Sequence, residues 1–110
     1  MNSSIVRIGG LIVLAGALTL LGSAAARADD SAALFKAKCG ACHGADGKGE
    51  TSMGKTFKLR DLGSADVQKQ TDAELTTIIT AGKNKMPAYK GKITDDQIKG
   101  LVAYIRTLKK

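Results

Sequence analysis

The sequence predicts an all-α fold, and three observations predict it. Two capping boxes open apolar stripes of helical period. Thr71-Asp72-Ala73-Glu74 precedes Leu75, Ile78 and Ile79, and Thr94-Asp95-Asp96-Gln97 precedes Ile98, Leu101, Val102, Ile105 and Leu108. No segment alternates apolar and polar residues opposite a partner run, as half-buried strands do. The whole chain is 110 residues, which leaves room for one small domain and none for a barrel enzyme or a doubly wound nucleotide-binding domain.

Residues 1–28 read as a secretory signal rather than as fold. Arg7 supplies the short positive region, and Leu11, Ile12, Val13, Leu14, Leu18, Leu20 and Leu21 dominate the apolar stretch. Ala26-Arg27-Ala28 is an A-x-A site that places cleavage after Ala28, and Ala24-Ala25-Ala26 offers an earlier cut after Ala26. The uncharged run over residues 8–26 is 19 long, near the ~20 that a membrane anchor needs. Gly, Ser and Thr dilute it, and the cleavage box follows it. No Cys lies nearby to take a lipid. The expected location is the periplasm, where disulfides are permitted. Cleavage removes Arg7 and Arg27, so the domain of residues 29–110 carries 15 Lys+Arg against 10 Asp+Glu, a net +5.

Three main helices are expected in that domain. Residues 30–38 contain Ala32, Ala33, Leu34, Phe35 and Ala37, with Asp30 or Ser31 as cap and Gly40 near the end. The second helix begins after Thr71 and stops at Gly82. The third follows Thr94, with Asp95 and Asp96 in its first turn and Arg106, Lys109 and Lys110 at its end, as the helix dipole favours. A short helix over residues 64–70 is weakly marked. Residues 44–62 and 82–93 read as loop.

The chemistry is concentrated in Cys39-Gly40-Ala41-Cys42-His43, which holds both Cys and the only His of the chain. C-x-x-C-H is the attachment pattern of c-type haem. On one helical turn, residues i, i+3 and i+4 share a face. Two thiols can thus reach two vinyl groups while the imidazole points at the iron. Gly40 and Ala41 let the macrocycle approach the backbone. A thiol–disulfide oxidoreductase would need a βαβ framework that the pattern lacks. Zinc would need a fourth ligand, and no second C-x-x-C or H-x-x-x-H exists. A structural disulfide beside a chance His is the plainest alternative. Against it stands the core: four aromatic rings in so short a domain are marginal alone, and a buried macrocycle supplies the missing apolar volume.

The sixth position on iron needs a residue from a segment able to cover the opposite face. Met1 leaves with the signal, and Met53 follows His43 by ten residues in a Gly-rich loop. Met86 follows by 43, in Lys85-Met86-Pro87-Ala88-Tyr89, where Pro87 fixes the backbone just after it. A lone Met is otherwise core filler. Beside C-x-x-C-H, Met86 is the expected ligand.

With these motifs in place, residues 30–108 resemble the small bacterial class I monohaem cytochromes c, in the style of the soluble photosynthetic carrier that can replace plastocyanin. The resemblance implies a class I cytochrome c fold, three main helices plus loops around one covalent haem c. It implies thioethers at Cys39 and Cys42, His43 as proximal ligand and Met86 as distal ligand. It also implies crossed terminal helices in which Phe35 meets Leu101 and Tyr104. One departure stands out. Many relatives place a Pro carbonyl on the proximal imidazole, and the only Pro here is Pro87. A carbonyl from residues 47–62, or water, is expected to take its place.

The expected function is transport of single electrons, not catalysis. His/Met ligation fills both axial sites and raises the potential relative to bis-His. An open distal site for small-ligand binding or catalysis is the rival that Met86 separates. Lys83, Lys85, Lys90 and Lys92 surround Met86, and Lys36 and Lys38 precede Cys39. They suggest a positive collar for a redox protein partner with an acidic face. Nucleic acid is not expected, because no aromatic stacking platform accompanies the lysines. The carrier is expected to be a monomer that meets membranes only through a partner complex.

Overall fold

The computed structural model describes Gly10 and residues 21–110, with side chains from Arg27 onward. Arg7 and most of the apolar stretch of the expected signal lie outside the described residues. The described residues form six helices in order: α1 Leu21–Lys38, α2 Gly40–His43, α3 Ser52–Thr56, α4 Ala65–Gln68, α5 Asp72–Ala81 and α6 Asp95–Thr107. Among the described residues there is no strand, only two isolated bridges, Lys83 with Met86 and Lys90 with Ile93. No described helix is long and apolar enough to cross a membrane.

Helix α1 is already formed at Leu21, where the continuous described stretch starts, so it includes residues ahead of the expected Asp30, among them the helix formers Ala24, Ala25, Ala26 and Ala28. It ends at Lys38, as expected, and α2 follows after a single residue. Cys39 N–H donates to the Phe35 carbonyl at 2.8 Å and His43 N–H to the Cys39 carbonyl at 2.9 Å, so helical bonding runs on through α2. The stop comes at Gly44, whose φ of +80° suits glycine.

The two capping boxes fare differently. At α6 both halves form: Thr94 Oγ1 accepts from Gln97 N–H at 3.1 Å and Gln97 Oε1 from Thr94 N–H at 2.8 Å. At α5 Thr71 accepts from Glu74 N–H, but the return bond is missing and Glu74 stays exposed in water. Residues 44–62, expected as loop, contain α3. Thr51 caps it by accepting from Gly54 N–H at 2.9 Å.

Among the described residues eight form the core: Phe35 of α1, Val67 of α4, Leu75 and Ile79 of α5, and Ile98, Leu101, Val102 and Ile105 of α6. The α6 stripe is thus buried as its period requires, and Leu108 stays half-buried at its C-cap. Helix α1 lies against α6 so closely that a Cβ on Gly100 would run into Ser31 Oγ. Phe35 and Tyr104 stack tilted at 4.9 Å between centroids, the contact expected of the crossed helices.

Polar bonds join α6 to the α4–α5 turn. Arg106 donates to the Gln68 carbonyl at 2.9 Å, to the Gln70 carbonyl at 2.5 Å and to Asp72 Oδ1 at 2.9 Å. Gln68 Nε2 returns to the Ile105 carbonyl at 2.9 Å. Arg106 therefore does more than complement the dipole of its own helix. It fixes the turn that closes one side of the site.

Candidate functional site

Two adjoining cavities open beside the core, one of about 420 Å³ and one of about 50 Å³. Cys39, His43, Phe57, Leu59, Lys85 and Met86 line both. The larger lies within the 300–1,000 Å³ typical of cofactor clefts, and Phe35, Leu62, Val67, Leu75, Ile78, Ile79 and Ile105 make its apolar walls. Cys42, Pro87 and Tyr89 line the smaller one. Among the described residues no carboxylate lines either cavity.

The C-x-x-C-H turn is held from behind. Thr51 Oγ1 donates to the Cys42 carbonyl at 2.6 Å, and Gly49 N–H donates to the His43 carbonyl at 2.7 Å. A Cβ on Gly54 would strike the Gly49 carbonyl and come within 2.8 Å of that of Cys42, so α3 can press on α2 only through a glycine. Cys39 and Cys42 are free thiols. Burial, with the Cys42 sulfur adding to it, pushes the Cys39 thiol up to about 11. Burial also lowers His43 below its ordinary value, favouring the neutral imidazole that a metal requires.

His43 Nδ1 is buried without a hydrogen-bond partner. The carbonyl expected from residues 47–62 does not reach it. The Gly47 carbonyl accepts instead from Leu62 N–H at 2.9 Å, and that of Gly54 from Leu59 N–H at 2.8 Å.

Opposite α2, the segment after α5 folds tightly. Gly82 has φ +75°, and a Cβ there would lie 2.6 Å from the Met86 carbonyl. Lys83 and Met86 exchange backbone bonds of 3.1 and 2.9 Å. Tyr89 then ties this segment down twice. Its N–H donates to the Ile79 carbonyl at 3.1 Å and its Oη to the Lys38 carbonyl at 2.9 Å. Met86 thereby lines both cavities, half-buried, while Met53 is 46% exposed and lines neither.

All four residues singled out from the sequence, Cys39, Cys42, His43 and Met86, meet at the cavities. The lysine collar divides. Lys38, Lys83 and Lys85 line them, whereas Lys36, Lys90 and Lys92 do not. Sequence reasoning missed Phe57, Lys58, Leu59, Arg60 and Gln70 as lining residues. The apolar pair Phe57 and Leu59 inside a charged loop was the available signal. Among the described residues no cluster of three or more His, Cys, Asp or Glu could hold a metal ion. An imidazole with an orphaned nitrogen, a facing thioether, two free thiols and apolar walls are a donor set that fits covalent haem.

The comparisons agree. Residues 26–105 match the family model described as cytochrome c oxidase, cbb3-type, subunit III. Cytochrome c6 of Leptolyngbya boryana is 39% identical over 72 residues, 66% of this chain and 81% of that protein. Cytochrome c6 of a Nostoc species is 38% identical over 104 residues, 90% of each chain. The solved structure of the KustC0563 c-type cytochrome superposes with a TM-score of 0.68 at 32% identity, covering 73% of this chain and 98% of that one.

Proposed function

The chain belongs to the class I cytochrome c family, with its fold, its single covalent haem c and its role as an electron carrier, and we propose that it is an exported carrier with His43/Met86 ligation. Cys39 and Cys42 are the attachment residues in this reading. Each thiol would hold the group as a thioether to one vinyl side chain, an addition that needs no oxidant. Bound haem supplies a one-electron ferric/ferrous couple. His43 would bind the iron on the α2 side and Met86 on the side of the segment after α5. The observation that carries the reading is that His43 and Met86 both line the two cavities while Met53 lines neither.

The residues around the site then set its behaviour. The apolar walls exclude water and disfavour the more charged ferric form. With His43 and Met86 both holding the iron, no place would remain on it for a substrate, and the protein would move electrons rather than act as an enzyme. The signal of residues 1–28 takes the domain of residues 29–110 to the periplasm. The cations at the cavity rim favour a redox protein with an acidic docking face.

The visible spectrum of the purified protein, oxidised and reduced, with and without carbon monoxide, tests this reading. A six-coordinate c-type spectrum that carbon monoxide leaves unchanged is expected. Carbon monoxide binding to the wild-type ferrous protein would assign it an open distal site instead.

A further inference from the structure

Met86 lies outside every helix, so its backbone must be fixed by other means. Downstream the means are plain. Pro87 has a locked φ, Tyr89 is tied to Ile79 and Lys38, and Lys90 N–H donates to the Thr80 carbonyl at 3.1 Å. Upstream there is only a two-residue turn. Lys83 and Met86 exchange both backbone bonds, with Asn84 and Lys85 at the tip between them. Asn84 has φ +54°, and the only other non-glycine residue at positive φ among the described residues is Lys58. We infer that Asn84 is the positioning residue for Met86, its left-handed backbone closing the turn that presents the thioether to iron; this rests on the Met86 ligation proposed above.

The residue type fits that task. A turn this short closes with both bonds made only if a tip residue takes positive φ. A Cβ makes that region costly, Asn visits it more readily than other non-glycine residues, and a β-branched residue is the worst placed. Asn also confines the unfolded chain more than Gly would. The side chain of Asn84 is exposed at the rim of the larger cavity. Its contribution is therefore the backbone it permits, not a contact of its amide. Met86 follows two residues later and lines both cavities. If residue 84 left the left-handed region, Lys83 and Met86 could no longer make both bonds, and the sulfur would lose its fixed approach. Gly91 offers a contrast in the same segment. It has φ +77°, and a Cβ there meets nothing within 4 Å. The bonds of Tyr89 and Lys90 stand between it and Met86.

The test uses holoprotein made with a maturation system. Asn84→Val, Asn84→Ala, Asn84→Gly and Gly91→Val are compared with wild type in the ferric state. The readouts are the weak far-red absorption of a thioether on ferric iron, titration with imidazole, and denaturant unfolding. In Asn84→Val, imidazole is expected to displace Met86 at about one-tenth of the wild-type concentration, the effect of placing a β-branched residue in the left-handed region. Asn84→Ala should fall between, and Asn84→Gly should keep the far-red band and an imidazole affinity near wild type. Gly91→Val should lower the unfolding midpoint while leaving the imidazole affinity unchanged, because its strain lies beyond the Tyr89 anchor. Asn84→Val and Asn84→Ala proteins that match wild type would overturn the inference. So would an Asn84→Gly protein as weak as Asn84→Val, which would assign the effect to the amide, or a Gly91→Val protein that loses Met86 as readily. In each of those cases Met86 ligation stands. A wild-type ferric protein without the far-red band would instead overturn the ligand reading, and this inference with it.

Discussion

Tyr89 Oη donates to the Lys38 carbonyl at 2.9 Å, and this bond ties the segment carrying Met86 to the residue just before Cys39. The two sides of the site, 51 residues apart in sequence, are thus joined outside the cofactor. Removing the hydroxyl in Tyr89→Phe should lower holoprotein stability by about 1 kcal/mol. It should also speed displacement of Met86 by added imidazole. Denaturant unfolding and stopped-flow imidazole binding check both, and unchanged values in each would show the bond to be idle.

Attachment through Cys39 and Cys42 predicts that haem stays with the polypeptide in acid–organic extraction. Replacing either Cys by Ala should cut holoprotein yield. The eight-residue core leaves the larger cavity beside it, so the chain without haem should be largely unfolded. A cooperative thermal transition in that form, followed by circular dichroism, would count against the dependence of the fold on the cofactor.

Met86→Ala should open the sixth position, lower the reduction potential and admit carbon monoxide to the ferrous protein. Met53→Ala should do none of these, because Met53 is 46% exposed and outside both cavities. Carbon monoxide difference spectra of the two variants decide between the methionines. The reverse pattern would assign the ligand to Met53.

How much of this was legible in the sequence depended on whether the cause was local. Helix α6 carried a capping box and a stripe of Ile98, Leu101, Val102 and Ile105, so its residues alone announced it. C-x-x-C-H likewise packs its chemistry into five residues. Helix α3 did not show, because five residues without an apolar stripe carry no period. Its support comes from tertiary contact, with Thr51 bonded to the Cys42 carbonyl nine residues back. Arg60 and Gln70 were silent for the same reason. A charged residue in a loop gives no sign that the chain will turn it toward a cavity. The contacts of Arg106 with Gln68, Gln70 and Asp72 span 34 to 38 residues, and only the folded topology brings them together.

The C-terminus is fastened by Asp61, which predicts a pH dependence. The Lys110 ammonium and the Gly63 N–H hold the Asp61 carboxyl below the usual carboxylate range, and Asp61 raises Lys110 above its ordinary value. A carboxyl lowered in the fold stabilises fully above its unfolded pKa, about 4. That contribution is lost as pH falls through the lower folded value. The raised Lys110 has the opposite sense, and its contribution disappears as pH rises beyond about 10.4. Asp61→Asn should therefore melt below wild type at pH 7, with the gap closing as pH drops below about 4. Thermal melts of holoprotein from pH 3 to pH 8 test this. A gap that stays constant through the acid range would remove the ion pair from the account.

Docking is the last consequence of the charge distribution. Lys38, Lys58, Arg60, Lys83 and Lys85 border the cavities, and no carboxylate of the described residues does. A partner must bring its redox centre near that rim, so the rim cations meet it first. Individually such exposed pairs contribute about 0–1 kcal/mol. Their joint effect is to steer the encounter, which salt screens over about 8 Å at physiological strength. The bimolecular rate with an acidic redox partner should therefore fall steeply as salt rises. Lys83→Glu and Lys85→Glu should slow it most, since both residues line a cavity. Lys90→Glu should slow it less, because Lys90 is exposed and lines neither. Lys69→Glu should change little, since that lysine is already paired with Asp66 at 3.3 Å and also lies outside both cavities. None of the four should alter covalent haem attachment. Stopped-flow electron transfer across an ionic-strength series gives the measurement. A flat salt dependence, or an equal loss from Lys69→Glu, would make the lysines a solvated face and leave the exposed Phe57 and Met53 as the contact through which the partner docks.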